Sequence, residues 1–235
     1  MSDSRAPRSA DDAIPASGGS RAALAGLVFG VLYVIGFAVL GRIPKADAAQ
    51  ETIVSFYSSH RERLLVLMVG AYVIPVAGVA LLWFTAAVRH RVVALAGRED
   101  ALLSTVQLLS AAVYVAMLFA AAAVLTAPAI AVDSGAISAE AIADTKPLLI
   151  AGDTILVVYA LRCAGVFIAA GTTRALRSGL IPRWFAAISY MLVLVLLLTV
   201  ARARAVTLLF PAWVATMSLL VLKRRVPNPT TGRVA

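Results

Sequence analysis

Pro147–Gly171, PLLIAGDTILVVYALRCAGVFIAAG, is the stretch that decides the fold. It is long and apolar enough to cross a bilayer as a helix, yet Asp153 and Arg162 lie inside its hydrophobic run. Every other run of membrane length in the chain is free of charge in its interior. A charge at mid-span costs roughly 2.5 to 3.5 kcal/mol on insertion scales, so such residues turn toward protein or water. The stretch therefore implies a helical membrane bundle with polar business inside it.

Composition agrees. Of 235 residues, 61% are hydrophobic and 14% charged, and the mean hydropathy is +0.92. Soluble domains carry about a quarter charged residues. The net charge of +9 raises the question of a nucleic-acid partner. The distribution excludes it, because the basic residues sit in short segments between apolar runs and form no long basic face. Cys163 is the single cysteine, so there is no internal disulfide, and it reads as a small packing residue. His60 and His90 stand at membrane edges without a second ligand at metal-binding spacing. No metal site and no cofactor is expected.

Working outward gives six predicted spans, about 22–41, 64–88, 102–127, 148–170, 184–200 and 205–222. Residues 1–20 are rich in Ser, Asp, Ala, Pro and Gly and read as a disordered tail; 226–235 is a short polar tail. The transmembrane domain is thus 21–225. In the first span, Ala22, Gly26 and Gly30 form a small-residue stripe suited to close helix packing. Between the first two spans, Asp47 and Gln50 resemble a capping box. Ile53, Phe56, Tyr57 and His60 follow at helical spacing, which predicts a short amphipathic helix at the interface. Pro75 should bend the second span, and the third should loosen near Thr126-Ala127-Pro128. A basic loop is expected from Arg89 to Asp100, and a basic turn after Gly171. Ser104, Gln107, Ser110 and Tyr114 recur at steps of three or four, a polar stripe along the first half of the third span.

Lys and Arg set the orientation. The two tails with the second–third and fourth–fifth loops hold thirteen, against seven on the other side. Both termini are therefore expected in the cytoplasm. Lys223, Arg224 and Arg225 close the last span, where they can meet anionic lipid headgroups.

Four segments, AGLVFGVLYVIGF (25–37), IVSFYSSHRERLL (53–65), LRSGLIPRW (176–184) and LFPAWV (209–214), resemble a group of uncharacterised bacterial six-helix membrane proteins, classed as a domain of unknown function. The resemblance spans most of the chain through loose, structural motifs. It implies a multi-pass bundle in the cell membrane and carries no catalytic or binding residue with it.

Asp153 and Arg162 are nine residues apart, on opposite faces of a regular helix and roughly 13 Å apart along its axis. Each needs a partner elsewhere. Asp153 lies in the outer part of the membrane, within reach of Arg202 or Arg204 in the last hairpin, and a structural ion pair is expected with one of them. Arg162 lies close to mid-span and is expected to face Gln107, Ser110 and Tyr114, with Tyr159 one turn away. Two readings follow for this group. It is either a small pocket that binds or senses a small anionic or lipid-like ligand, or a packing device in a structural or accessory membrane subunit. Catalysis is not expected, since no span carries a nucleophile–base pair, a ligand cluster or a phosphate loop. Transport is the weaker reading too, since the two halves show no repeat.

Overall fold

The computed structural model describes residues 18–96, 100–138, 141–198 and 204–223. Helix α1 (Gly18–Leu40) is followed by the short α2 (Gln50–Ser58). Helix α3 (His60–Met68), a π-helical turn (Val69–Val73) and α4 (Ile74–Ala96) make one continuous rod. Helix α5 (Ala101–Asp133) is the longest single helix among the described residues. A 3₁₀ turn (Ala141–Thr145) leads into a second composite rod: α6 (Lys146–Thr154), a π-helical turn (Ile155–Ala160) and α7 (Leu161–Arg177). Helix α8 (Arg183–Leu198) and a 3₁₀ turn (Arg204–Leu208) entering α9 (Leu209–Lys223) complete the fold. The described residues contain no strand.

Four helical stretches are long and apolar enough to cross a membrane: His60–Val93, Ala101–Asp133, Lys146–Arg177 and Arg204–Lys223. Leu24–Leu40 and Arg183–Leu198 are apolar but shorter. The predicted tails fall mostly outside the described residues, and α1 begins within the expected tail at Gly18.

Several local expectations need correction. Pro75 offers no N–H to the Ala71 carbonyl, and the chain answers one turn earlier by widening. The Ile74 N–H reaches back five residues, to Val69. Helix α5, by contrast, runs on through Pro128 to Asp133. Ala49, not Asp47, caps α2, with no side-chain bond, so the capping box does not form. Arg89, His90 and Arg91 are helical, not loop, because α4 outlasts its apolar run. The basic segment after Gly171 is likewise helix as far as Arg177. There the chain turns at Gly179, whose φ of 69° suits glycine. The Leu180 and Gly179 N–H groups cap the Ala175 and Leu176 carbonyls, and Leu180 itself is buried.

The core is built around Phe210 of α9. Its ring meets Phe29 of α1, Tyr114 of α5 and Phe167 of α7 at centroid distances of 5.8, 4.5 and 5.6 Å. These are edge-on contacts of the kind aromatic quadrupoles favour. Trp213, one turn on, packs on Phe167 and Phe185 and donates to the Ser189 hydroxyl at 2.8 Å. The small-residue stripe packs within this bundle: a Cβ on Gly26 would meet Ser218 Oγ at 2.0 Å and the Phe84 ring at 2.6 Å. A second, smaller core covers one end, where Ile53 and Tyr57 of α2 bury against Leu125, Ala129 and Leu149.

Candidate functional site

The end capped by α2 holds a well-formed ion pair. Arg204 lies in the 3₁₀ turn before α9 and Asp153 in α6. Arg204 Nε donates to Asp153 Oδ1 and Nη2 to Oδ2, both at 2.9 Å. This two-pronged geometry matches the planar guanidinium to the carboxylate and is the strong form of such a contact. The Arg204 side chain is 15% exposed and that of Asp153 32%. Arg204 Nη1 also lies 3.5 Å from the carbonyl oxygens of Leu40 and Ile43, where α1 ends. One guanidinium thus gathers three elements. Gly152 makes the approach possible, since a Cβ there would collide with Leu125 at 2.6 Å and hold α6 off α5.

A cleft of about 580 Å³ opens beside the pair. Lys45, Asp47, Asp153 and Arg204 form its polar rim, and Ile150, Val157 and Val158 line its apolar side. On the other side of the pair, a small hollow of about 40 Å³ reaches inward to Tyr33. Tyr57, on the buried face of α2, lies in the field of Arg204; burial pushes its hydroxyl up to about 12, the arginine charge pulling the other way. Nearby loops are tied by Arg42 to Glu62, by Arg63 to the Tyr57 carbonyl at 2.5 Å, and by Lys146 to the Ala48 carbonyl at 3.5 Å.

Arg162 does not reach the polar stripe. Its Nη1 donates to the Val158 carbonyl of its own rod at 2.5 Å, and Tyr159 is 56% exposed. Ser104, Gln107, Ser110 and Tyr114 all face inward from α5, but Gln107 Oε1 accepts from Arg174 Nη1 at 2.6 Å. Ser110 donates to the Val106 carbonyl, and Tyr114 packs on Phe210.

Depth explains the exchange of partners. Arg177 Nη1 meets Asp100 Oδ2 at 2.8 Å, so the end of α7 lies level with the start of α5. From that level Gln107 is about 10 Å in and Arg162 about 22 Å, at 1.5 Å per residue. Arg174 starts only one turn in, and helical side chains lean toward the amino end, which here is inward. It therefore arrives where Gln107 waits. Gly171 leaves the room, because a Cβ there would stand 2.8 Å from Gln107 Nε2.

Arg202, Arg224 and Arg225 lie outside the described residues, and Lys223 is exposed at the end of α9. The sequence pattern does not single out Lys45, Asp47 or Arg174 as site residues. The signal for Arg174 was helical phase, since it continues the buried face of Phe167 and Gly171 by one and two turns. Among the described residues no cluster of three His, Cys, Asp or Glu side chains stands ready to hold a metal ion. Comparison of the chain with known protein families, with curated proteins and with solved structures gives no match.

Proposed function

We propose that this is a six-crossing membrane protein with both ends in the cytoplasm, which binds an amphipathic, lipid-like ligand in the cleft beside Asp153 and Arg204. The cleft carries the reading: about 580 Å³, polar at the rim and apolar along one wall. Two cations, Lys45 and Arg204, stand with two carboxylates, Asp47 and Asp153. That balance suits a polar headgroup, and the wall of Ile150, Val157 and Val158 suits a tail. The ligand site expected at Arg162 moves two to three turns along the same rod. Four membrane-length helices and two shorter apolar ones support the crossings, and the basic bias of one side supports the orientation.

A second reading has its own observation. The two-pronged pair, with Arg204 also near the Leu40 and Ile43 carbonyls, suits a structural or accessory subunit whose charges only lock the last hairpin to the bundle. Ile150→Trp and Lys45→Ala separate the two, because both change the cleft and neither touches the pair. Under the ligand reading, native mass spectrometry of the purified protein shows co-purified lipid in the parent and little in either variant, with thermal unfolding unchanged. Adducts that persist in both variants discard the cleft as a site and leave the structural reading.

A further inference from the structure

We propose that the headgroup taken by the cleft beside Asp153 and Arg204 is a zwitterion with a primary ammonium, which makes the ligand a lipid of the phosphatidylethanolamine type. On that reading of the cleft, which this assignment requires, the headgroup is defined by the hydrogen-bond donors and acceptors that the lining side chains leave open.

Most of the donors are already engaged. Arg204 gives Nε and Nη2 to the Asp153 carboxylate, both at 2.9 Å, and its Nη1 lies 3.5 Å from the Leu40 and Ile43 carbonyls. Thr154 gives its hydroxyl hydrogen to the Ile150 carbonyl at 2.7 Å, which leaves its oxygen as an acceptor on the cleft. Acceptors are in surplus. A carboxylate offers about four lone-pair sites, and Arg204 occupies one on each Asp153 oxygen. The Asp153 side chain is 32% exposed, so its other lone pairs are within reach of a ligand.

Lys45 and Asp47 supply the open charges. The Ala48 N–H bonds to the Lys45 carbonyl at 3.0 Å and closes a turn that carries both residues. Lys146 Nζ steadies that turn from 3.5 Å, at the Ala48 carbonyl. Both residues are exposed, and among the described residues neither side chain enters a hydrogen bond or an ion pair. One uncommitted cation, Lys45, therefore borders the cleft with the open oxygens of Asp47, Asp153 and Thr154. Ethanolamine phosphate fits that pattern, since its phosphate meets Lys45 and its ammonium brings three N–H donors to the acceptors. A choline headgroup has the same net charge but no N–H, and the described lining contains no aromatic ring of the kind that holds quaternary ammonium. A glycerol headgroup lacks the cation that the two carboxylates favour. The wall of Ile150, Val157 and Val158 takes the acyl chain.

The full-length protein in mild detergent, mixed with equal amounts of phosphatidylethanolamine, phosphatidylcholine and phosphatidylglycerol, is read by native mass spectrometry. The parent should favour the ethanolamine lipid over each of the others by about tenfold, the worth of a hydrogen bond to a charged group. Asp47→Asn keeps the side-chain shape and removes one charge, and should cut that preference about fivefold, as for an exposed ion pair. Glycerophosphoethanolamine at the same concentration should leave the lipid in place, because it has nothing to lay on the apolar wall; displacement overturns the assignment to a lipid. Ile150→Trp separates failure of the headgroup from failure of the cleft. Adducts of all three lipids that persist in Ile150→Trp discard the cleft, and this proposal with it. Adducts lost in Ile150→Trp but taken up equally from the three lipids by the parent keep the cleft and overturn the headgroup. An ethanolamine preference undiminished in Asp47→Asn overturns it as well.

Discussion

Arg204 and Arg162 face the same difficulty, a guanidinium set among apolar helices, and meet it in opposite ways. Arg204 reaches out of its own element, grips Asp153 with two bonds, and approaches the end of α1. Arg162 turns back on the rod that carries it and takes the Val158 carbonyl, inside the π-helical turn. A π turn shifts the bonding register away from the i to i+4 pattern, and such irregularities leave carbonyls for side chains to satisfy. One arginine therefore holds helices together, while the hydrogen bond of the other stays within a single helix. Only the first should matter much to the assembly of the bundle.

The largest expected effect follows from Arg204. Arg204→Met leaves the Asp153 carboxylate without its two donors. We expect a loss of about 3 kcal/mol, the low end for a broken buried pair because Asp153 keeps part of its water contact. Unfolding in detergent, by heat or denaturant, measures it. A double-mutant cycle with Asp153→Asn should show coupling of about 1 kcal/mol or more between the two positions. Additive losses would mean that the bond seen between them does not contribute to stability, and the contrast with Arg162 would vanish.

Arg162→Met sharpens the contrast. The substitution keeps length and apolar bulk and removes one hydrogen bond to a nearby carbonyl, so it should cost no more than about 1 kcal/mol. A loss matching that of Arg204→Met would show that Arg162 also spans between elements.

How much of this could be read from the sequence depended on which physical variable was needed. Hydropathy alone reveals the helical, membrane-length character, because an apolar run of about 20 residues matches the thickness of a bilayer's hydrocarbon core. Depth alone brings Asp153 to the level of the last hairpin, leaving Arg202 and Arg204 open between them; the structure puts Arg204 on Asp153. Helix ends were not legible in the same way. The apolar run stops at Gly171 but α7 continues to Arg177, held by Arg177–Asp100 and by the turn at Gly179. Those extra turns shift the depth of every residue on the rod, so Gln107 meets Arg174, which the apolar run hides, and not Arg162. Lys45 and Asp47 escaped for another reason, since they sit in a connection whose path is set by packing of α2 over the bundle end and not by any local pattern.

Tyr57 offers the smallest effect and the closest look at the Arg204 neighbourhood. Its hydroxyl is buried and makes no hydrogen bond among the described residues. Leaving such a group unpaired is costly, so Tyr57→Phe should be neutral or should stabilise the protein by up to about 1 kcal/mol at neutral pH. Alkaline titration adds a signed test. In the unfolded chain the phenol ionises near 10, but in the folded protein it does so only at about 12. Below pH 10 both states hold the proton and the contribution is complete. Between these values the unfolded chain has released a proton that the folded one retains, so the parent loses stability as pH rises. The Phe variant lacks this contribution, and the stability difference between variant and parent should widen across that window. A constant difference from pH 9 to 12 would mean that the hydroxyl meets water freely and that α2 does not seal the Arg204 end of the bundle.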